Sequence, residues 1–219
     1  MNATLRIFLT AVTATLFCIG FAIDLDWRLM LALKLVPVAL ALDWLRARGE
    51  PGRYRLWIAV GLGWSLLGDA LLALPEDRFI AGLVAFLLAH LAYIAAYLGR
   101  SRAPAPRWLG VAALAVVGIL LALNRFGELG PMRLPVTVYA LVIGVMLWRA
   151  AALAALDGSG RWALIGAVLF VASDAVLAWN RFVDHEPALR YVNILLYWAG
   201  QWGIAASVVL HRAGLRARL

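Results

Sequence analysis

Two aspartates lie deep inside long apolar runs, and they set the chemistry this chain could perform. Asp69 stands in LLGDALLAL and Asp174 in VASDAVLAW. A charge at membrane depth costs roughly 2.5–3.5 kcal/mol on insertion scales, so such a residue is a functional-site hypothesis by default. A low dielectric raises the pKa of a carboxyl group, and a second carboxylate nearby raises one of the two further. One member of a pair can then hold a proton as general acid while the other works ionised as a base. Hydrolysis through a carbocation-like intermediate needs that combination. The plainer role is structural: each Asp pairs with a cation, or accepts hydrogen bonds that lock helix packing.

Other polar residues interrupt the apolar runs. Lys34 is the only lysine in the chain. It could be a counter-charge to an aspartate, a snorkelling anchor or a ligand for a lipid phosphate. His90 could be a neutral core histidine, a proton shuttle or a headgroup contact. A zinc site would need about three more His, Cys or carboxylate ligands. His185 and His211 fall in a loop and a tail on opposite sides, and the single cysteine, Cys18, sits in an apolar run. No metal site is therefore expected. Tyr139, Tyr197, Gln201 and Asn180 complete the polar set, each as readily a packing or interface residue as a substrate contact.

The elements that position these residues follow from composition. Of 219 residues, 65% are hydrophobic and only 15% charged, with a mean hydropathy of +0.89. Soluble domains carry about a quarter charged residues. The class is all-α: a polytopic membrane helix bundle of about eight transmembrane helices, with residues 1–219 forming a single transmembrane domain. The net charge of +8 belongs to basic cytoplasmic loops rather than to a nucleic-acid surface. Arg6 precedes an apolar run that leads straight into another, so the N-terminus reads as a first membrane helix and not a cleaved signal.

Spans of about 17–22 residues, as a ~30 Å hydrocarbon core requires, fall near 5–22, 27–46, 56–74, 79–98, 107–124, 133–153, 161–180 and 189–210. Basic residues gather in the even loops and the tail: Arg46, Arg48, Arg53 and Arg55; Arg100, Arg102 and Arg107; Arg149 and Arg161; Arg212, Arg216 and Arg218. The odd loops hold Asp24, Asp26, Glu76, Asp77, Glu128, Asp184 and Glu186. The positive-inside rule then places both termini in the cytoplasm of a bacterial-type inner (cell) membrane. At 1.5 Å of rise per residue, Asp69, Asp174 and Lys34 fall in the outer half. His90 comes near mid-depth, with Tyr139, Tyr197 and Gln201 close to the same level. The acidic turn Pro75–Arg78 should lie above the site. The two Asp segments also match each other, and Pro37-Val38 matches Pro135-Val136. A parallel duplication of four helices would produce this, and such repeats commonly meet at a midplane site.

In sequence order, Leu67-Gly68-Asp69, Phe79, Gly82, Phe86, His90 and Tyr93 resemble one signature of the YhhN family of membrane proteins. Gly166-Ala167, Phe170 and Ser173-Asp174 resemble a second. Lys34 with Pro37, Pro135 with Tyr139, and Tyr197 with Gln201 also fit that family's polar positions. The resemblance runs from about residue 30 to 205 and implies a lysoplasmalogenase. Such an ether-bond hydrolase splits the vinyl ether of a lysoplasmalogen into a fatty aldehyde and glycerophospho-ethanolamine or -choline. It would place Asp69 and Asp174 as the acid–base pair and His90 as a proton relay. Lys34, Tyr139, Tyr197, Gln201, Tyr93, Ser173 and Asn180 would stand on the substrate side, with membrane lipid as surroundings. The reaction requires neither cofactor nor metal.

A small proton-coupled transporter is the main rival, since midplane charges and parallel halves suit one as well. Against it, the third and seventh spans lack strongly Gly/Pro-interrupted middles. An intramembrane aspartyl protease is disfavoured because Leu66-Leu67-Gly68-Asp69 stands where Gly-x-Gly-Asp would be.

Overall fold

The computed structural model describes residues 1–216, leaving aside the side chains of Pro106 and 212–216. The tail arginines Arg212, Arg216 and Arg218 therefore fall outside the described side chains. Eight long helices occupy all eight expected places: α1 (Ala3–Ala22), α2 (Trp27–Arg48), α3 (Arg53–Ala73), α4 (Phe79–Arg100), α5 (Pro106–Phe126), α6 (Arg133–Ala154), α7 (Gly158–Phe182) and α8 (Leu189–Arg216). A short 3₁₀ turn, Gly130–Met132, precedes α6. Seven of the helices are long and apolar enough to cross a membrane, and the protein is an integral, multi-pass membrane protein. The exception, α2, is set apart by the charges along it, Arg28, Lys34, Asp43, Arg46 and Arg48. Two of these are neutralised from within the bundle: Asp43 by Arg6 of α1 at 2.7 Å, and Lys34 by Asp69.

Side chains close several helix starts. Asn2 accepts from the N–H of Leu5 at 2.8 Å, Asp26 from Arg28 at 2.9 Å and Asp157 from Gly160 at 2.8 Å. Each satisfies a donor that has no partner within its helix. Inside α2, Pro37 lacks an N–H and loosens the turn before it. The carbonyl of Lys34, in that turn, accepts from the indole of Trp198 at 3.2 Å, tying α2 to α8 next to Lys34 itself.

The helix contacts recur in the order that a duplication would give. The pairs α1–α2, α2–α3 and α3–α4 recur as α5–α6, α6–α7 and α7–α8. The two halves interlock reciprocally, α4 against α6 and α8 against α2. The backbones of α7 and α8 pack closely. A Cβ on Gly166 would lie 2.6 Å from the backbone nitrogen of Ile204 and 2.7 Å from the carbonyl of Gly200.

Two basic positions attributed to solvated loops are instead internal fasteners. Arg149 is only 3% exposed; it donates to the carbonyls of Ser101 and Ala103, holding α6 to the α4–α5 connection. Arg100 pairs with Asp157 at 2.8 Å. Desolvating a guanidinium is costly, and these acceptors offset the cost.

Candidate active site

Asp69 and Asp174 sit on α3 and α7 near the end of the bundle that carries the α3–α4 turn. Each is held by one group from the preceding helix and one from the opposite half. Asp69 is 2% exposed. Its Oδ2 accepts from the Tyr197 hydroxyl of α8 at 2.6 Å. Lys34 of α2 places Nζ 3.3 Å from Oδ1 and donates to the Asp69 carbonyl at 3.3 Å. Of the roles open to Lys34, this geometry is the counter-charge. At Asp174 the equivalents are uncharged or titratable. Its Oδ2 accepts from the Tyr139 hydroxyl of α6 at 2.6 Å, and His90 Nε2 of α4 lies 3.5 Å from the same oxygen.

The histidine tautomer follows from this network. Tyr139 gives its proton to Asp174, so its oxygen is free to accept from His90 Nε2 at 2.9 Å. In the neutral ring Nδ1 is then the acceptor; it is buried without a protein partner. Phe170 packs edge-on against His90 at 4.7 Å and against Tyr197 at 5.4 Å. The partners of the two carboxylates therefore share one apolar wall.

Both carboxylates line a single cavity of about 440 Å³, with Lys34, Ser173, Asn193 and Tyr197. Its mouth is formed by Glu76, Asp77, Arg78 and Arg181. The Pro75–Arg78 turn thus lines the cavity as its rim instead of lying clear above it. Arg181 of α7 pairs with Asp77 at 2.7 Å. The Arg181 guanidinium, followed by the backbone N–H of Phe79, holds the Asp77 carboxyl below the usual carboxylate range. A second, apolar space opens among α4, α5, α6 and α7. It is lined by Val116, Ile119, Ile143 and Val171 among others, and reaches Tyr139 and Asp174.

The remaining expected residues divide. Ser173 lines the cavity and is fixed by Asn193, whose amide donates to its carbonyl at 2.8 Å and its hydroxyl at 2.9 Å. Tyr93 and Gln201 bond each other at 2.8 Å behind the site and do not border the cavity. Asn180 accepts from the N–H of Glu186 at 2.8 Å and shapes the α7–α8 connection, away from the cavity. Asn193 was not anticipated. Its signal was available: Asn193, Tyr197 and Gln201 recur every four residues and mark one face of α8. Among the described residues no three His, Cys, Asp or Glu side chains are grouped as metal ligands would be.

This arrangement can protonate a bound molecule and stabilise positive charge on it. A family comparison bears on which molecule: the model of the YhhN family matches residues 27–208. The chain belongs to the YhhN family. The match runs from α2 into α8 and contains both aspartates, Lys34 and His90. The human protein named lysoplasmalogenase TMEM86B is 34% identical over 194 residues, 88% of this chain and 81% of its own length. The pig protein of that name is 37% identical over 177 residues, 80% of this chain and 73% of its own. A lysoplasmalogenase of Mycobacterium tuberculosis is 38% identical over 170 residues, 74% and 61%. No solved structure matches.

Proposed function

We propose that this protein is a lysoplasmalogenase, hydrolysing the vinyl ether of a lysoplasmalogen by acid–base catalysis between Asp69 and Asp174. The observation that carries the reading is that two carboxylates with different company open into one cavity, in a chain whose relatives are named for this activity. One carboxyl protonates the β-carbon of the vinyl ether, and the electrons of the C=C bond leave an oxocarbenium ion. The other, ionised, stabilises that cation and takes a proton from the attacking water. The hemiacetal so formed breaks its C–O bond: the base returns the proton taken from water to the departing glycerol oxygen, and the hemiacetal hydroxyl gives its proton to the first carboxylate as the aldehyde forms. One water is consumed, one aldehyde and one glycerophospho-alcohol are released, and the acid and base are restored. His90 and Tyr139 relay and orient protons at Asp174.

In this reading both termini lie in the cytoplasm and α2 crosses the membrane, with Lys34 neutralised by Asp69 and Asp43 by Arg6. The cavity then opens on the outer side. Purified protein in nanodiscs should release fatty aldehyde from a lysoplasmalogen. Asp69→Asn and Asp174→Asn should each lose roughly 10²–10⁴-fold in rate. No aldehyde from the wild-type protein, with substrate accumulating in proteoliposomes, would replace this reading with transport.

A further inference from the structure

The polar cavity and the apolar groove meet at one ionisable residue. Asp174 lines both, together with Leu72, Phe79, Phe86 and Leu177. Asp69 and Lys34 line the polar cavity and have no part in the groove. A lysoplasmalogen has the same division. Its vinyl ether joins a polar glycerophospho headgroup to a single aliphatic chain, and the carbon to be protonated is the first one on the chain side of the ether carbon. A molecule with its headgroup among polar groups and its chain among apolar ones must therefore place that carbon where the two spaces meet.

We propose that the aliphatic chain lies in the groove between α4, α5, α6 and α7, and that Asp174, at its polar end, is the proton donor, while Asp69 stays the anion. The proposal rests on the hydrolase reading above and divides the labour within it. The company of each carboxylate agrees. Asp69 has an ammonium at 3.3 Å, which favours the charged form, where Asp174 has the His90 ring at 3.5 Å; a tyrosine hydroxyl at 2.6 Å is common to both. At Asp174 the Tyr139 hydroxyl and the His90 ring both face Oδ2, which leaves Oδ1 to carry the proton towards the junction. The enclosed part of the groove is only about 60 Å³. It holds the first few methylenes, and the rest of a long chain extends out of the groove. Chain length beyond those first carbons is therefore not selected.

The test separates binding from turnover. A non-hydrolysable alkyl-ether lysophospholipid with a diazirine on an early chain carbon should label Val116, Ile119 or Ile143 of the wild-type protein. Labelling instead at Phe17, Phe21 or Met30, which line a third space of about 400 Å³ beside Lys34, would overturn the groove. This readout holds even if no aldehyde is released, so it fails or stands apart from the hydrolase reading. Ile143→Trp fills the enclosed part, so it should cut kcat/KM at least about tenfold for a substrate with about four chain carbons and for a long-chain one alike. A loss under about threefold for either would count against the groove. For the acid, Asp174→Gly should recover aldehyde release with added acetic acid, in proportion to the undissociated form, and Asp69→Gly should not. The opposite pattern would overturn the assignment.

Discussion

Replacing Lys34 by methionine tests how the bundle carries its buried charge. Lys34 Nζ lies 3.3 Å from Asp69 Oδ1, and the two side chains are 15% and 2% exposed. Two unit charges at that separation attract by about 5 kcal/mol at an effective dielectric constant of ~20. Most of that attraction offsets the cost of desolvating the pair. Removing one partner therefore leaves an uncompensated carboxylate, and the change should cost about 3–5 kcal/mol. For a chain of this size that is a fall in melting temperature on the order of 6–20 °C. The assay is thermal unfolding of purified protein in detergent, completed as a double-mutant cycle with Asp69→Asn. Lys34→Met/Asp69→Asn buries no charge at this position, so it should recover at least about 2 kcal/mol of the loss. Its aldehyde release should stay at the level of Asp69→Asn alone. Strictly additive losses, or a Lys34→Met protein that melts with the wild type, would show that the pair does not hold the site together.

Three further outcomes follow from other contacts. Tyr139→Phe removes the 2.6 Å hydrogen bond to Asp174 and the acceptor for His90; leaving buried polar groups without these partners costs about 1–3 kcal/mol and should appear as a loss of roughly 5- to 150-fold in kcat, read in steady-state kinetics. Gly166→Ala forces a Cβ to 2.6 Å from the Ile204 backbone nitrogen; it should lower stability by about 1–3 kcal/mol and part α7 from α8, read as a lower melting temperature. Asp157→Ala removes the α7 cap and the partner of Arg100 at a cost of about 1 kcal/mol for the cap. Burial pushes the Asp157 carboxyl up, but the Ser159 hydroxyl, the Gly160 N–H and Arg100 together outweigh it and hold it below its ordinary range. Its contribution is thus present above the unfolded value of about 3.9 and is lost as pH falls through the lower folded value. The wild type and Asp157→Ala should converge in melting temperature at acid pH, and a gap that widens there would refute the sign.

The sequence made the helices legible because the bilayer leaves little freedom: apolar runs of spanning length can be satisfied only as helices. Depth was legible too, since rise per residue is fixed, and it brought Asp69, Asp174, Lys34, Tyr139 and Tyr197 to one level. Rotation was not. Helices apolar over most of their surface give little sign of which way they face, so nothing in the sequence showed that Tyr93 and Gln201 turn to each other behind the cavity. Partner choice was equally hidden. The sequence offered several roles for Lys34 and did not show that it approaches Asp69 at 3.3 Å. Arg149 looked like a loop charge because the positive-inside rule counts residues near helix ends without asking whether they fold back onto backbone carbonyls.

A duplication of four helices would account for one cavity lined by two carboxylates with different neighbours. A repeated α2–α3 and α6–α7 unit delivers an Asp at the same depth twice, and the reciprocal α4–α6 and α8–α2 contacts supply each with a partner from the other half. Identical partners would give two equivalent acids competing for one proton. Here the helix before Asp69 contributes an ammonium, whereas the helix before Asp174 contributes a phenol. From the opposite half come a tyrosine for Asp69 and a histidine for Asp174. The backbone keeps the symmetry and the side chains break it. Exchanging the company should therefore exchange the roles. A chain with Lys34→Tyr and Tyr139→Lys would place the ammonium beside Asp174, at the mouth of the apolar groove, and hold that carboxyl ionised where a proton is needed. It should bind the alkyl-ether analogue with unchanged labelling of the groove and release little aldehyde. Activity surviving the exchange would mean that the two carboxylates are not distinguished by their neighbours.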